Sequence, residues 1–383
     1  MANVLAALTP TLFAAARRVP KELTGFLGAV NRDFSDMQVA QGDSVDVTVM
    51  STQTASTIPA PSMNFTAGTD RTASTIKLTL NQTAQTTWNM TGEEERKLLN
   101  SGTAQEALRQ TVEQGFRVLR NQIEAYGGVY AKNSASRAIG VAGTAPFGAD
   151  FNLMADLKKE LNINGANSEG RSLIMDSNAV ANLSKLSALY KVNESGNEDL
   201  LRAGVLGKLL NFDLRETAGI ATHTKGTMTG ALVNSGALVI GSVTIPYNTG
   251  TPGATGIVAG DTISFAGDTN VYVVKTGPGA VASGNIVLQE PGLRTAVANA
   301  AAITVGNTYA GNIALTQDAL VAVVRPIIQP VSPEIEQIVL SDPETKFSAL
   351  LIRKVGDQMA SWYMRVVYDM FAPNPYGIIT LRG

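Results

Sequence analysis

The chain has 383 residues, of which 16% are charged, with a formal net charge of -2, 36 glycines and no cysteine. This length allows two or three domains with cores of their own. The near-neutral charge argues against nucleic-acid binding through a basic surface, and the lack of cysteine excludes disulfides, a thiolate nucleophile and cysteine-ligated metals.

Residues 1–40 are predicted to form a short amphipathic helix and then an arm. The apolar run Val4–Ala16 is unlike a secretion signal, because Pro10 interrupts it and the basic residues Arg17 and Arg18 follow it. No later run approaches the ~20 apolar residues of a membrane span, so we expect a soluble protein made in the cytoplasm. Four apolar residues of the helix could dock on a neighbouring molecule or on the rest of the chain: Leu12, Phe13, Ala16 and Val19.

Residues 41–90 predict an extended hairpin. Apolar and polar residues alternate strictly over Val45–Val49 and again over Ile76–Leu80, as in strands with one buried face. The connection Ser51–Ser74 is rich in Thr, Ser, Ala and Pro. We therefore expect two long strands joined by a polar, extended tip.

Residues 91–134 carry the most sustained helical pattern of the chain. Steps of four and three place one apolar stripe on a helix: Leu108, Val112, Phe116, Leu119, Ile123, Tyr126 and Tyr130. The opposite face is expected to carry Arg109, Glu113, Arg117, Arg120 and Gln122. A helix with one apolar stripe needs a partner surface along its whole length.

Local signals predict where this helix begins and ends. Two sequences match a capping box, in which a hydroxyl and a carboxylate bind free amides at a helix start: Thr91 with Glu94, and Thr103 with Glu106. Gly102 is therefore expected to separate a short lead-in helix from the main helix. The pair Gly127 and Gly128 is expected to weaken or end the main helix.

Residues 135–222 predict a Gly- and Ala-rich connector and then an α/β segment. Its predicted elements are a helix over 150–161, a strand over 172–175, a helix after residue 176, a helix over 198–210 and a strand over 211–216. Asp150 and Asp176 are expected to be N-caps, because a carboxylate there can accept from free helix amides.

Residues 223–310 contain only three basic and three acidic residues. Short β-prone runs recur at strand-and-turn spacing: 237–245, 262–265, 271–275, 285–289 and 302–305. We therefore expect a small all-β module, similar to a barrel, inserted into the α/β domain. Residues 311–383 return to that domain with an apolar run over 313–324 and strands over 336–340, 347–354, 364–370 and 378–381.

In this order, the parts resemble the major capsid protein of tailed bacteriophages with the Hong Kong 97-type fold. More narrowly, the chain is similar to coat proteins of short-tailed phages of the P-twenty-two type, which carry an inserted β domain. The stretches that carry the resemblance are Leu206–Ala218, Val258–Lys275 and Gly311–Pro326. It covers nearly the whole chain and depends on the order and spacing of the parts.

The resemblance implies an α+β fold with a defined division of the chain. The expected parts are an N-terminal arm (1–40), an extended-loop hairpin (41–90), a spine helix with peripheral domain (91–134), a first part of the axial domain (135–222), an inserted β domain (223–310), and a return to the peripheral and axial domains (311–383). Because the extended loop begins near residue 43, no room is expected for a cleaved internal scaffold, and a separate scaffolding protein is implied.

The resemblance also implies a structural function without catalysis or cofactor. Pentamers and hexamers would assemble into an icosahedral shell around double-stranded DNA, with a portal protein and without a membrane. Assembly in the host bacterial cytoplasm would place the chain in the virion. Two alternatives stay open: an encapsulin-like shell that loads enzymes, and a β-rich tail or adhesin protein.

Subunit contacts are expected to be non-covalent. The stretch from residue 51 to residue 74 contains no lysine for an isopeptide bond, and its only charged pair is Asp70 and Arg71. We predict that this pair, together with Arg17 and Arg18, lies at subunit interfaces.

Other patterns have simple structural interpretations. His223, the only histidine, is interpreted as an ordinary linker residue, with a pH-sensitive contact as the alternative. The run Gly204–Lys208 lacks the spacing of a phosphate loop and is interpreted as a helix end. Glu93–Glu95 fit the positive end of a helix better than a calcium or acid-base cluster. Aromatic residues near Arg365 are interpreted as core and subunit packing rather than as a nucleic-acid surface: Trp362, Tyr363, Tyr368 and Phe371.

Overall fold

The computed structural model describes Leu12 and residues 25–34, 37–50, 73–101, 104–186, 207–330, 334–341, 347–356 and 358–383. This part of the chain is a mixed α/β protein. Its helices are α1 (Gly25–Ala29), α2 (Gly92–Ser101), α3 (Ala104–Ser134), α4 (Asn152–Ile163) and α5 (Ser177–Lys185).

The strands of the first half are β1 (Asn31–Phe34), β2 (Ser44–Met50), β3 (Ala73–Thr79), β4 (Gln82–Thr91), β5 (Arg137–Ile139), β6 (Arg171–Met175), β7 (Lys208–Leu209), β8 (Phe212–Glu216) and β9 (Thr222–His223). Those of the second half are β10 (Leu232–Val233), β11 (Thr244–Asn248), β12 (Thr262–Phe265), β13 (Tyr272–Thr276), β14 (Gly284–Leu288), β15 (Ile303–Val305), β16 (Tyr309–Thr316), β17 (Val321–Arg325), β18 (Ile335–Ser341), β19 (Ser348–Val355), β20 (Met359–Phe371) and β21 (Ile378–Arg382).

The helix α3, called the spine helix below, confirms the predicted helical pattern. Its 31 residues correspond to about 46 Å at the usual rise. The apolar stripe is buried from Leu108 to Ile123, and Tyr126 and Tyr130 are half-buried. At the start of α2, the predicted capping box forms: the Thr91 amide donates to Glu94 Oε2 at 2.9 Å and the Glu94 amide donates to Thr91 Oγ1 at 3.3 Å. The second capping box includes residue 103, which lies outside the described residues.

Two predictions about the spine helix are wrong. Gly127 and Gly128 do not end it, because it continues to Ser134. A side chain at Gly127 would collide with the ring of Phe26, and one at Gly128 would lie 2.7 Å from the carbonyl oxygen of Gly219. These glycines therefore allow other parts of the chain to approach closely.

Arg120 does not lie on an exposed face. It is 7% exposed, because the spine helix is covered on more than one side and buries a wide arc instead of one stripe.

The predicted hairpin is present. Strands β2 and β3 pair antiparallel over seven residues, from Ser44 opposite Thr79 to Met50 opposite Ala73. Its base packs into a small apolar cluster that contains Leu78, Leu80 and Val323. Within the described residues, β2 and β3 pair only with each other. The tip, residues 51–72, lies outside them.

A six-stranded sheet lies beneath the spine helix and has the long strand β20 at its centre. Strand β4 pairs along one side of β20, from residue 359 to residue 368. On the other side, β19 pairs with residues 360–365 and β17 with residues 367–371. Strands β18 and β1 extend the sheet beyond β19 and β17. The apolar stripe of the spine helix and the facing side of this sheet form one core, together with Leu12.

A second, larger sheet has 13 strands, and one part of it runs through β5, β21, β16, β6, β8 and β7. Strand β5 also pairs with β13, which joins this part to strands of the second half. Strand β16 lies between β21 and β6 and pairs antiparallel with both. Helices α4 and α5 pack on this sheet through a core that includes Leu157, Leu161 and Leu183. The predicted strands and the first two predicted helices of this region are confirmed within a few residues.

Three local predictions in this region have different outcomes. Asp176 is confirmed as an N-cap, since its carboxylate accepts from the Ala179 amide at 3.2 Å. Asp150 is not the N-cap of α4, because Phe151 holds that position. The Asp150 carboxylate accepts from the amide of Asn152, the first residue of the helix. The predicted helix over 198–210 lies mostly outside the described residues, and its last part is wrong because Lys208–Leu209 forms strand β7.

Strands between residues 232 and 305 close into a ring. Each strand pairs with the next in the order β10, β11, β14, β13, β12 and β15. A bridge between Leu232 and Ala302 closes the ring, which is called the barrel below. Its apolar core consists of residues between Met228 and Ile303. The chain reaches the barrel through β9 and leaves through β16, which pair with His223 opposite Tyr309.

One predicted strand of the barrel is misplaced. Residues 237–243 form a turn with one isolated bridge, and the strand occupies Thr244–Asn248. Buried and exposed side chains do not alternate along this turn, because Leu238 is buried whereas Val239 and Ile240 are both exposed. Gly241 has a φ of 86°, a left-handed conformation that ends an extended segment.

Candidate functional site

The C-terminal half of the spine helix holds three other parts of the chain through buried polar side chains. Glu124 binds the helix α1. Tyr126 binds Asp369, which also binds the base of the hairpin. Lys132 binds His223, which in turn binds the barrel. We call these three contacts the spine junction. They determine where the arm, the hairpin and the barrel stand relative to one another.

The Glu124 carboxylate caps the helix α1. It accepts from the amide of Phe26 and, at 3.0 Å, from the amide of Leu27, and Thr217 Oγ1 donates to it at 3.1 Å. Free amides at a helix start favour a carboxylate in this position. Burial raises the pKa of Glu124, and the hydrogen bonds from Leu27, Phe26 and Thr217, with the nearby Arg120, act in the opposite direction. The arm is therefore fixed to the spine helix by an acidic group with 4% exposure.

Asp369 joins the hairpin base, the spine helix and the six-stranded sheet. Tyr126 donates its hydroxyl to Asp369 Oδ1 at 2.9 Å, and the Asn81 amide donates to Asp369 Oδ2 at 3.2 Å. Burial and this hydrogen bond raise the pKa of Tyr126. The direction in which the hairpin leaves the body is thus set by a side chain of β20.

His223 lies between the spine helix and the barrel and is 7% exposed. Its Nδ1 is 2.9 Å from Lys132 Nζ, and its Nε2 is 2.8 Å from Asp261 Oδ1. Asp261 is fully buried and also accepts from the amides of Gly226 and Val258, both at 2.9 Å. The interpretation of His223 as an ordinary linker residue is therefore wrong. It is a buried link between two parts of the fold.

Arginines make further contacts between the barrel and the rest of the chain. The Arg137 guanidinium lies 4.5 Å above the Tyr272 ring, where β5 pairs with β13. Burial lowers the pKa of Arg137 to about 10. Arg294 forms an ion pair with Glu160 and donates to Asn164 Oδ1 at 2.9 Å. Between these contacts lies a polar cleft of about 260 Å³.

The four predicted interface residues receive no test from the structure. Arg17, Arg18, Asp70 and Arg71 all lie outside the described residues. Their role at subunit interfaces stays a prediction. Of the apolar residues expected to dock the N-terminal helix, Leu12 is described, and it is fully buried in the core beneath the spine helix.

The other interpretations of single patterns can be compared with the structure. Glu93–Glu95 do lie in the first turn of α2, and hydrogen bonds from Thr91 lower the pKa of Glu94. Lys208 is exposed in β7 and pairs with Asp213, so a helix end is wrong there. Trp362 stacks on Trp88 with ring centroids 6.0 Å apart, which supports its interpretation as a packing residue.

The described ranges contain no group of three or more side chains suited to holding a metal ion. Among the helices described, none is long and apolar enough to cross a membrane.

Sequence reasoning missed the spine junction. Arg120 and Glu124 are separated by four residues and follow the buried Phe116 by four and eight, a spacing that places all three on one side of a helix. That spacing was a usable signal for a buried charged pair. No local signal marked Lys132 and His223, because their sequence separation is 91 residues.

Comparison with known proteins gives distant structural similarity only. No protein-family model matches the chain, and no curated protein matches it. A solved structure of Mycobacterium phage Che8 is 14% identical, with 89% of this chain and 84% of that chain covered and a TM-score of 0.46. The mature capsid of bacteriophage PhiM1 is 10% identical, with 94% and 86% covered and a TM-score of 0.46. The capsid of a native GTA particle is 11% identical, with 94% and 90% covered and a TM-score of 0.46. At this level of similarity, function has to be argued from this chain's own architecture.

Proposed function

We propose that the chain is a major capsid protein that self-assembles into an icosahedral shell. The observation that carries the proposal is the hairpin of β2 and β3, which is fixed at its base and pairs with no third strand of the described chain. An isolated two-stranded hairpin is marginally stable in water unless it packs on something else. A neighbouring copy of the same chain supplies that surface in a shell.

The rest of the architecture supports the same proposal. The spine junction gives the arm, the hairpin and the barrel fixed positions on one long helix, as repeated contacts between many copies require. Low charge, 16% of residues, suits a surface that neighbours largely cover. We propose the order of parts of the Hong Kong 97-type fold of tailed phages: residues 91–134 as the spine helix and peripheral domain, residues 135–222 as the first part of the axial domain, and residues 311–383 returning to both.

We further propose the narrower similarity to the P-twenty-two type, with residues 223–310 as an inserted domain. The paired strands β9 and β16 at its two ends support this division, since chain entering and leaving an insertion lies side by side. The remaining proposals follow from the family: pentamers and hexamers, a separate scaffolding protein, a portal protein, enclosed double-stranded DNA, assembly in the bacterial cytoplasm and a place in the virion. Neither catalysis nor a cofactor is proposed.

Electron microscopy of the purified protein tests the proposed function. Icosahedral shells, or tubes built of the same capsomers, are the expected result. Small shells filled with a co-purified enzyme would favour the encapsulin-like alternative. Isolated trimers or fibres would favour a tail or adhesin protein and contradict the proposal.

The barrel is expected to fold without the rest of the chain. Its core residues all lie between Met228 and Ile303, so a fragment of residues 223–310 keeps that core intact. It loses the contacts with the spine helix, with the larger sheet and with Glu160 and Asn164 at α4. We expect a cooperative thermal transition by circular dichroism. A fragment of residues 135–222 is the matched control and should not fold, because its strand β6 loses its partner β16. A random-coil spectrum for the barrel fragment would contradict the proposed domain.

Subunits are expected to be joined without covalent bonds. Boiled particles on a denaturing gel should give one monomer band, and a ladder of oligomers would refute this.

The pair Asp70 and Arg71 is proposed to fix the register of the hairpin tip on a neighbour. Because one exposed ion pair contributes only ~0–1 kcal/mol, its effect must come from repetition over many copies. Replacing both residues by Ala should weaken assembly, and replacing Asp156 and Lys159, an exposed ion pair of α4, by Ala serves as the control. Normal assembly of the Asp70 and Arg71 variant would refute the role of the pair.

A further inference from the structure

His223 lies where the spine helix, the barrel and strand β16 meet. Lys132 approaches one nitrogen of its ring from the spine helix, at 2.9 Å. Asp261 of the barrel approaches the other nitrogen, at 2.8 Å. The Tyr309 ring of β16 lies against the imidazole, with centroids 5.2 Å apart. This one side chain therefore contacts the spine helix, the barrel and strand β16.

The two neighbours determine the protonation of the ring. An ammonium group can only donate, so Nδ1 must accept from Lys132. An ionised carboxylate can only accept, so Nε2 must carry the hydrogen that is donated to Asp261. The amides of Gly226 and Val258 also donate to the Asp261 carboxylate. Both contacts are thus satisfied together by a neutral imidazole with its hydrogen on Nε2.

The His223 ring cannot carry an additional proton while both contacts are kept. On Nδ1, it would bring a donor against the Lys132 donor and put two positive charges at 2.9 Å, in a site where His223 is 7% exposed. If the His223 ring took up a proton on Nδ1 and Lys132 gave one up, the number of protons on the two side chains would stay the same. This exchange therefore does not bind an additional proton. A protonated His223 ring and a charged Lys132 therefore cannot keep this contact.

The other charged and titratable groups around the ring do not remove this conflict. Burial lowers the pKa of Lys132 to about 8, with Asp261 acting in the opposite direction. An ammonium that is already destabilised by burial tolerates a second positive charge poorly. Tyr309 donates its hydroxyl to the Gly260 carbonyl at 2.8 Å, and burial raises its pKa, so it stays neutral. Arg382 of β21, which donates to Thr262 at 3.5 Å, adds positive charge on the barrel side.

We propose that His223 is a proton-sensitive latch that holds the barrel on the C-terminal end of the spine helix and opens when the ring is protonated. In the closed state Lys132, His223 and Asp261 form one chain of hydrogen bonds from the spine helix to the barrel. In the open state the Lys132 contact breaks, and the amides of Gly226 and Val258 lose protection as the segment around Asp261 moves. The barrel and the body keep their own cores. This inference does not depend on whether the chain builds a shell.

The ring itself gives the first test. Because the chain has one histidine, selective ¹⁵N-histidine labelling of the full-length, unassembled protein gives signals that need no assignment. At about pH 7.5 we expect the shifts of a neutral ring with hydrogen on Nε2. A ring with hydrogen on Nδ1, or a charged ring at this pH, would overturn the proposal.

Hydrogen exchange tests the opening. After correction for intrinsic exchange rates, peptides that contain Gly226 and Val258 should lose protection about tenfold between pH 7.5 and pH 5. In His223→Gln the amide can accept from Lys132 and donate to Asp261, so both contacts persist and the acid effect should disappear.

A second variant separates the latch from general acid sensitivity. In Lys132→Met the protonated ring faces only the Asp261 carboxylate, so acid should no longer reduce protection. Lys159→Met is the matched control, because Lys159 lies 60% exposed on α4 and should respond as the wild type does. Equal loss of protection in wild type, His223→Gln and Lys132→Met would overturn the proposal.

Discussion

Phe116→Asp is expected to abolish accumulation of soluble protein or shell assembly. Phe116 is 2% exposed in the middle of the spine helix, and its ring contacts Phe347 with centroids 6.0 Å apart. The substitution removes this packing and leaves an unpaired carboxylate in an apolar core. Large-to-small core changes and unpaired buried charges each cost on the order of 3–5 kcal/mol, a large fraction of a typical folding free energy.

The control for this variant is two residues away. Val118 is 52% exposed on the same helix, so Val118→Asp introduces the same charge without burying it. Urea unfolding of the unassembled protein should place Val118→Asp within about 0.5 kcal/mol of the wild type. Phe116→Asp should unfold at much lower urea or be insoluble. Wild-type yield of shells from Phe116→Asp would show that this helix face is not a core.

Most of the architecture could be predicted from patterns with a fixed period. The spine helix was predictable because 3.6-residue periodicity persists over many turns, and the hairpin because polar and apolar residues alternate in both strands. The Thr91 and Glu94 capping box was also correct, since its two hydrogen bonds need no residue from elsewhere. These signals depend only on residues that are close together in the sequence, and contacts with distant parts of the chain did not change the predicted elements.

The errors on the spine-helix glycines and on His223 have one physical cause: the deciding contact lies far away in sequence. A glycine inside a helix pattern either ends the helix or admits close packing, and only its neighbours in space distinguish the two. His223 has an unremarkable local sequence, and its partners come from the spine helix and from the barrel. For the same reason, the sequence predicted the β-strands between residues 223 and 310 but not the contacts that hold them against the spine helix.

Arg120 shows the limit of a two-sided helical pattern. The expectation of one apolar and one polar face assumes that a helix packs on one surface. The spine helix is covered by the six-stranded sheet and also by the segment around Gly219, so its buried arc is wide. The charged side chains Arg120 and Glu124 then belong to the interior, where Glu124 caps α1.

Gly128→Ala is expected to destabilise the protein, although the same substitution usually stabilises a helix. In a helix interior, alanine is favoured over glycine by about 1 kcal/mol. At Gly128 the added carbon would lie 2.7 Å from the Gly219 carbonyl oxygen, a backbone atom that cannot rotate away. Conversely, a side chain at Gly219 would meet the backbone of Glu124 at 3.1 Å, so the two segments are already in close contact. Overpacking of this kind costs roughly 1–3 kcal/mol, which exceeds the gain in helix propensity.

Gly115→Ala provides the matched control, because Gly115 is in the same helix and also faces the sheet. Its added carbon would meet the end of the flexible Met364 side chain at 3.2 Å and the Thr86 methyl group at 3.3 Å, both side-chain atoms and neither of them backbone. We expect Gly115→Ala to be between neutral and about 1 kcal/mol more stable than the wild type, and Gly128→Ala to be about 1–3 kcal/mol less stable, by urea unfolding of the unassembled protein. Hydrogen exchange should show the loss in Gly128→Ala first in the segment 217–220 and in α1, since Thr217 and α1 share the Glu124 carboxylate. If both alanine variants were stabilised equally, close approach would not be the reason for glycine at position 128, and the contact between the spine helix and Gly219 would have to be looser than the structure shows.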